Sequence, residues 1–172
     1  MDLATTGDDV TAIRAVFAAF PSGVVAVCAA VDGVPVGMAM STFTGVSLDP
    51  PLVGVYPDRR STTWLMLRGA PRLGISVLAD SDERACRQLS RRTGDRFAGL
   101  AIERTSDGAI LLGGAAAWLD CTLHDELPAG DHTVALLRIE RMQARADAEP
   151  LVFHRSRFRR LAPAPQQHRS KG

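Results

Sequence analysis

Gly23-Val24-Val25-Ala26-Val27-Cys28-Ala29-Ala30-Val31-Asp32-Gly33 decides the fold class, because a run of small and β-branched residues ends in Asp-Gly, a pair suited to a tight turn between antiparallel strands. A return strand is expected over 35–43. Downstream, Asp49-Pro50-Pro51 imposes an extended turn before a short strand, Leu52-Val53-Gly54-Val55-Tyr56. Residues 72–78 alternate as a strand does, and later strands are expected at 110–112, 116–124, 133–144 and 151–153, parted by turns containing Gly, Pro or Asp. Helical spacing is confined to three places. Val10, Ile13, Val16, Phe17 and Phe20 recur over 8–20, with Asp8 or Asp9 placed to cap the start and Pro21 to end it. Ser61 can cap a short helix through Leu67, closed by Gly69-Ala70-Pro71. Asp80-Ser81-Asp82-Glu83 opens a third helix to about residue 92, broken by Gly94 and Asp95. Strands thus follow one another without the regular alternation with helices that builds a parallel sheet. The expectation is a mainly β fold, an antiparallel barrel with peripheral helices.

The chain has 172 residues, enough for one domain of ordinary size. It shows neither an internal repeat nor a linker, so one domain is expected over 1–161. The remainder, 162–172, lacks apolar periodicity and reads as a flexible C-terminal tail. Apolar residues are 46% and charged residues 23%, which suits a packed core. Twenty Lys and Arg against nineteen Asp and Glu leave a net charge of +1, so no global field would recruit nucleic acid or an anionic membrane. Aromatic residues are 5%, too few for a base-stacking platform. Cys28, Cys86 and Cys121 lie too far apart for a zinc knuckle or a redox dithiol, and buried, reduced thiols in a cytoplasmic protein are expected. The N-terminal Asp2, Asp8 and Asp9 do not fit a secretory signal, and the apolar run over 23–31 is too short to cross a bilayer.

Four segments could carry chemistry. In Gly37-Met38-Ala39-Met40-Ser41-Thr42-Phe43-Thr44-Gly45-Val46-Ser47-Leu48-Asp49-Pro50-Pro51, the hydroxyls of Ser41, Thr42, Thr44 and Ser47 could serve a flat polar ligand. The same stretch also fits a strand and turn whose hydroxyls satisfy their own backbone. Asp58-Arg59-Arg60-Ser61-Thr62-Thr63-Trp64 sets hydroxyls and guanidinium groups at a helix start, as a phosphate site requires, or else is a capped helix beside solvated charges. A basic stretch surrounds Arg84, Arg87, Arg91 and Arg92, ahead of Asp95-Arg96-Phe97-Ala98-Gly99, and Arg84, Arg87 and Arg91 share a helical face that reads as solvated. Gly130-Asp131-His132 puts an imidazole at a strand mouth. Cys121 and His124, three apart on a strand, point to opposite faces, and no residue set has metal-ligand spacing. Dinucleotide-binding Gly-x-Gly-x-x-Gly, phosphate-loop and Gly-x-Ser-x-Gly signatures are missing.

Taken in order, seven segments resemble the flavin reductase family of the flavin-binding split barrels, the small partners of two-component flavin-dependent monooxygenases. They are Phe20-Pro21-Ser22-Gly23-Val24, Gly37 through Thr44, Val46 through Val53, Asp58 through Trp64, Asp95 through Gly99, Gly130-Asp131-His132, and Phe153-His154-Arg155-Ser156-Arg157-Phe158. The resemblance implies a homodimer of six-stranded antiparallel Greek-key split barrels with FMN or FAD bound near the subunit interface. It implies that Met40, Ser41 and Thr42 line the isoalloxazine, with Ser47 at the ribityl side. Arg59, Ser61 and Thr63 would hold the ribityl chain or phosphate, and Arg96 and Phe97 the phosphate or, in FAD, the adenylate end. His132 matches the histidine beside the nicotinamide of NADH or NADPH, and Phe153, His154 and Arg155 fall where the C-terminal segment closes that side. The chain has Ser76 where the family often has Asn, Ser156 where Gly is common, and Met40 in place of a smaller residue.

The implied reaction is hydride transfer from NADH or NADPH to the flavin, with reduced flavin passing to a separate flavin-dependent monooxygenase. A non-catalytic flavin carrier and a split-barrel oxidase acting on its own substrate are the other two readings of the same features.

Overall fold

The computed structural model describes residues 5, 7 and 9–162; Asp8, weighed above as a cap, and residues 163–172 of the expected tail lie outside them. The elements run α1 (Val10–Phe17), β1 (Ser22–Gly23), β2 (Val25–Val31), β3 (Val34–Met40), β4 (Phe43–Leu48), β5 (Pro51–Val55), α2 (Thr62–Leu67), β6 (Leu73–Val77), a 3₁₀ turn (Asp80–Asp82), α3 (Glu83–Leu89), β7 (Ile102–Arg104), β8 (Ile110–Leu112), β9 (Ala117–Ala129), β10 (His132–Ala144), β11 (Val152–His154) and β12 (Arg157–Arg159). Asp9 caps α1 by accepting from the amides of Thr11 and Ala12, each at 3.0 Å. Asp32 and Gly33 both take positive φ, 50° and 81°, so the Asp-Gly signal becomes the two-residue turn that sets Val31 opposite Val34.

A seven-stranded antiparallel sheet, ordered β3-β2-β6-β9-β10-β5-β4, forms the body. Its two edge strands, β3 and β4, are consecutive in the chain and joined only by Ser41 and Thr42. So short a link forces the sheet to curl until its edges meet, which makes a split barrel. Thr42 fastens the link, its Oγ1 accepting from the Tyr56 amide at 3.3 Å. The strand expected over 35–43 is therefore corrected. The chain breaks at Ser41 and starts a separate strand, β4, which raises the expected six strands to seven. As an edge strand with mostly exposed residues, β4 lacks the continuous apolar run that marks a buried one.

The helix expected over 80–92 divides into the 3₁₀ turn and α3, and Ser90 ends α3 by donating from Oγ to the Cys86 carbonyl at 2.8 Å. Strands β1, β7 and β12, two or three residues each, went unforeseen because so few residues carry no periodicity.

Strand β2 is buried on both faces, which explains its unbroken apolar sequence. Val25, Val27 and Ala29 join the barrel interior with Trp64, Leu73, Ile75 and Leu137. Val24, Ala26 and Cys28 face a second cluster roofed by Ala85, Cys86 and Leu89 of α3. One buried carboxylate pins the sheet. Asp120 on β9 accepts from Arg72 Nε at 2.8 Å and from Arg141 Nε on β10 at 2.9 Å, so both of its oxygens are paired. All three cysteines are free and buried, and desolvation pushes the Cys28 and Cys121 thiols up to about 12, which keeps them protonated and unreactive. No helix among the described residues is long and apolar enough to cross a membrane.

Candidate functional site

Three separate segments converge on one cleft of about 700 Å³: strand β3, the turn into α2, and the loop that leaves α3. Ser61, Thr63 and Arg96 all line it. Thr63 is buried, and its Oγ1 accepts from Arg96 Nη1 at 2.9 Å while the same nitrogen donates to the Gly37 carbonyl at 3.0 Å. Arg96 is thereby held rigidly across two elements. Gly37 makes this docking possible. A Cβ there would fall 2.5 Å from Cys28 Sγ and 2.9 Å from the Phe97 ring, so only glycine lets Phe97 pack on β3 and bring its neighbour Arg96 to Thr63.

Arg91 and Arg92 line the same cleft. Among the described residues neither they nor Arg96 forms an ion pair with a carboxylate. Arg60 is different, because Asp58 accepts from its Nε and Nη2. Those hydrogen bonds lower the Asp58 pKa to about 2, so this pair is internally neutral at any working pH. The cleft's net positive charge therefore comes from Arg91, Arg92 and Arg96. Ser61 Oγ is engaged in capping α2, accepting from the Trp64 amide at 3.1 Å, and α2 is only six residues long. Anion affinity here rests on side chains more than on the helix terminus that the sequence suggested.

Arg59 points elsewhere. Its amide donates to the Asp131 carbonyl at 3.0 Å and its Nη1 to the Gly130 carbonyl at 3.4 Å. An antiparallel bridge between Asp58 and His132, with Thr133 N donating to the Pro57 carbonyl at 3.0 Å, completes a latch between the 57–60 turn and the start of β10. His132 thus stands beside the turn that leads into the cleft, with Nδ1 at 2.7 Å from Asp131 Oδ1.

The remaining candidates are dispersed. Met40 lies in the barrel core, so a ligand could meet little of it beyond backbone. Ser41 and Thr42 are exposed at the β3–β4 link, and Ser47 accepts from the Asp49 amide at 3.2 Å. Phe97 is half-buried beside Arg96, its amide donating to Asp95 Oδ1 at 2.8 Å. Phe153, His154 and Arg155 meet the residues after α1 within the protomer: His154 Nε2 lies 3.2 Å from the Ala19 carbonyl, and the Arg155 amide donates to Ala18 at 3.0 Å. Arg91 and Arg92, which the sequence offers only as part of a basic stretch read as solvated, are the additions to the site. An arginine pair after an amphipathic helix has no signature of its own, and its place in the cleft depends on α3 stopping at Leu89 next to β3.

Comparison with known proteins gives a concordant picture. Residues 17–162 match the family model described as the flavin reductase like domain. A flavin reductase of Pseudomonas putida is 37% identical over 146 residues, covering 84% of this chain and 86% of that protein. HsaB of Rhodococcus jostii, the reductase subunit of a flavin-dependent monooxygenase, is 33% identical over 150 residues, covering 87% and 77%. Among solved structures, the NADH:FAD oxidoreductase SgcE6 of Streptomyces globisporus, in complex with NAD and FAD fragments, superposes with a TM-score of 0.87 at 34% identity, covering 95% of this chain and 98% of that one.

Proposed function

Because the chain belongs to the flavin reductase like domain family, we infer that it is an NAD(P)H-dependent flavin reductase that hands reduced FMN or FAD to a separate flavin-dependent monooxygenase. The observation that carries the inference beyond family membership is the convergence of Ser61, Thr63, Arg91, Arg92 and Arg96 on one cleft. Three guanidinium groups that meet no carboxylate among the described residues, with adjacent hydroxyls, are the donor set a flavin phosphate needs, because charge-assisted hydrogen bonds to phosphate oxygens are short and strong. The bound pair of cofactors would supply the chemistry, a hydride transfer from nicotinamide to flavin.

The protein's part is to bind and orient. Ser41, Thr42 and the Met40 backbone would meet the ring system at the β3–β4 link, and Ser47 the ribityl side. Arg59 acts on the site indirectly, by holding the His132 turn, and Phe97 by seating Arg96. His132 would position the nicotinamide. Phe153, His154 and Arg155, which sit at the end of α1 in the protomer, would close a ring site only where two subunits meet. A homodimer is consistent with the apolar side chains left uncovered, among them Val16 at 71%, Phe17 at 72% and Leu48 at 96% exposure. One domain over 1–161 working in the cytoplasm, with its thiols reduced and buried, completes the proposal.

Arg92→Ala tests the phosphate assignment. The Michaelis constant for FMN should rise about tenfold, as loss of one charge-assisted hydrogen bond predicts, while that for riboflavin, which has no phosphate, stays unchanged. Equal effects on both flavins would contradict it.

A further inference from the structure

We propose that Asp131 is a positioning residue for the reductase reaction, its carboxylate fixing the His132 ring so that Nε2 presents a lone pair to the carboxamide N–H of the nicotinamide. The proposal rests on the function inferred above. A carboxylate can only accept, so at 2.7 Å from Asp131 Oδ1 the Nδ1 atom of His132 must carry the hydrogen. In a neutral imidazole that leaves Nε2 as the acceptor, and the ligand group it suits is an N–H donor. The nicotinamide carboxamide is such a donor.

The backbone around His132 is already held. Arg59 donates from its main-chain amide to the Asp131 carbonyl and from its side chain to Gly130, Asp58 bridges to His132, and Thr133 donates to Pro57. What remains free is the rotation of the imidazole, and the Asp131 carboxylate restricts it. The other charged groups facing the ring are Asp58, Arg59 and Arg60. Asp58 is taken up by Arg60, and Arg59 by the Gly130 carbonyl, so among the described residues Asp131 is the carboxylate left to accept from His132. The His132 hydrogen bond also holds the Asp131 carboxyl below the usual carboxylate range, so it stays ionised and acceptor-only at working pH. The side chains of His132 and Asp131 are 44% and 79% exposed, and a contact so exposed adds little to stability. The pair stands where β10 begins, exposed enough for a ligand to reach it.

The test compares Asp131→Asn and Asp131→Ala in the His132 and His132→Ala backgrounds, reading kcat/KM for NADH with saturating free flavin, and flavin affinity by fluorescence quenching. Asparagine forms turns as well as aspartate does, so a merely structural Asp131 would tolerate it. An amide, however, can turn its NH₂ to Nδ1 and reverse the tautomer, as it does in other Asp–His pairs. Both variants should lose about tenfold in kcat/KM, a loss of ~1.4 kcal/mol in transition-state stabilisation, with flavin affinity unchanged. With His132 replaced by alanine, Asp131→Asn should add less than about twofold, since its effect runs through the ring. Wild-type kcat/KM in Asp131→Asn, or an undiminished loss in the His132→Ala background, would overturn the proposal. The parent protein's own turnover separates the two levels: no NADH consumption with free flavin would sink the reductase function, whereas normal turnover with an inert Asp131→Asn sinks only the positioning role.

Discussion

Arg155 and Ser156 form the two-residue turn between β11 and β12, and both take positive φ, 49° and 59°. Such a turn favours glycine, and a non-glycine residue held there costs about 1–2 kcal/mol. The sequence marked Ser156 as a place where the family commonly has Gly, and the left-handed backbone supplies the reason. Ser156→Gly should raise the thermal midpoint by roughly 2–4 °C per kcal/mol recovered, measured by calorimetry; an unchanged or lowered midpoint would show that the serine is unstrained. Other residues were harder to read. Arg59 and Arg60 sit side by side in a motif that suits phosphate, yet one latches the Gly130 turn and the other pairs with Asp58. Direction along the chain is visible in a sequence; direction of a long side chain is decided by whichever carbonyl or carboxylate folding brings near. Ser61, Thr63 and Arg96 were legible because a hydroxyl-rich helix start and an Asp-Arg-Phe segment are local features. Arg91 and Arg92 were not, because only the tertiary approach of α3 to β3 gives them a role.

At the scale of elements, the β3 strand and the loop after α3 depend on each other through Gly37. Gly37→Ala would drive a methyl group against Cys28 Sγ and the Phe97 ring, lifting Phe97 and withdrawing Arg96 from Thr63 and the Gly37 carbonyl. Overpacking of this kind costs about 1–3 kcal/mol. The loss should appear both in denaturant stability and as a weakening of FMN binding beyond that of riboflavin. A variant that binds FMN normally would show that Arg96 does not need this seat. Several elements could be read from their sequence: β2 by its apolar run and Asp-Gly turn, α2 by its Ser61 cap, and β10 by its length, whereas β9 runs to Ala129, five residues past the expected end at 124, where its residues turn mostly exposed. Strand β4 escaped because it is an edge, and edges show their polar faces. Its separation from β3 at Ser41 and Thr42 is nevertheless what splits the barrel and exposes those hydroxyls.

For the whole molecule, a net charge of +1 hides a local excess of positive charge in a single cleft, so ligand capture must depend on fit there rather than on long-range attraction. The uncovered apolar residues of α1 and β4 predict a dimer, which light scattering at micromolar concentration should report as twice the 18.4 kDa chain; a monomer at that concentration would contradict the subunit-interface site. The proposed function makes reduced flavin itself the product that leaves the barrel. The most direct test of that claim is anaerobic turnover of NADH or NADPH with FMN or FAD in large molar excess over the purified protein, followed by loss of nicotinamide and flavin absorbance. The account predicts reduction of the whole free flavin pool over many turnovers; binding without nicotinamide loss, or reduction that stops at one flavin per subunit, would contradict it.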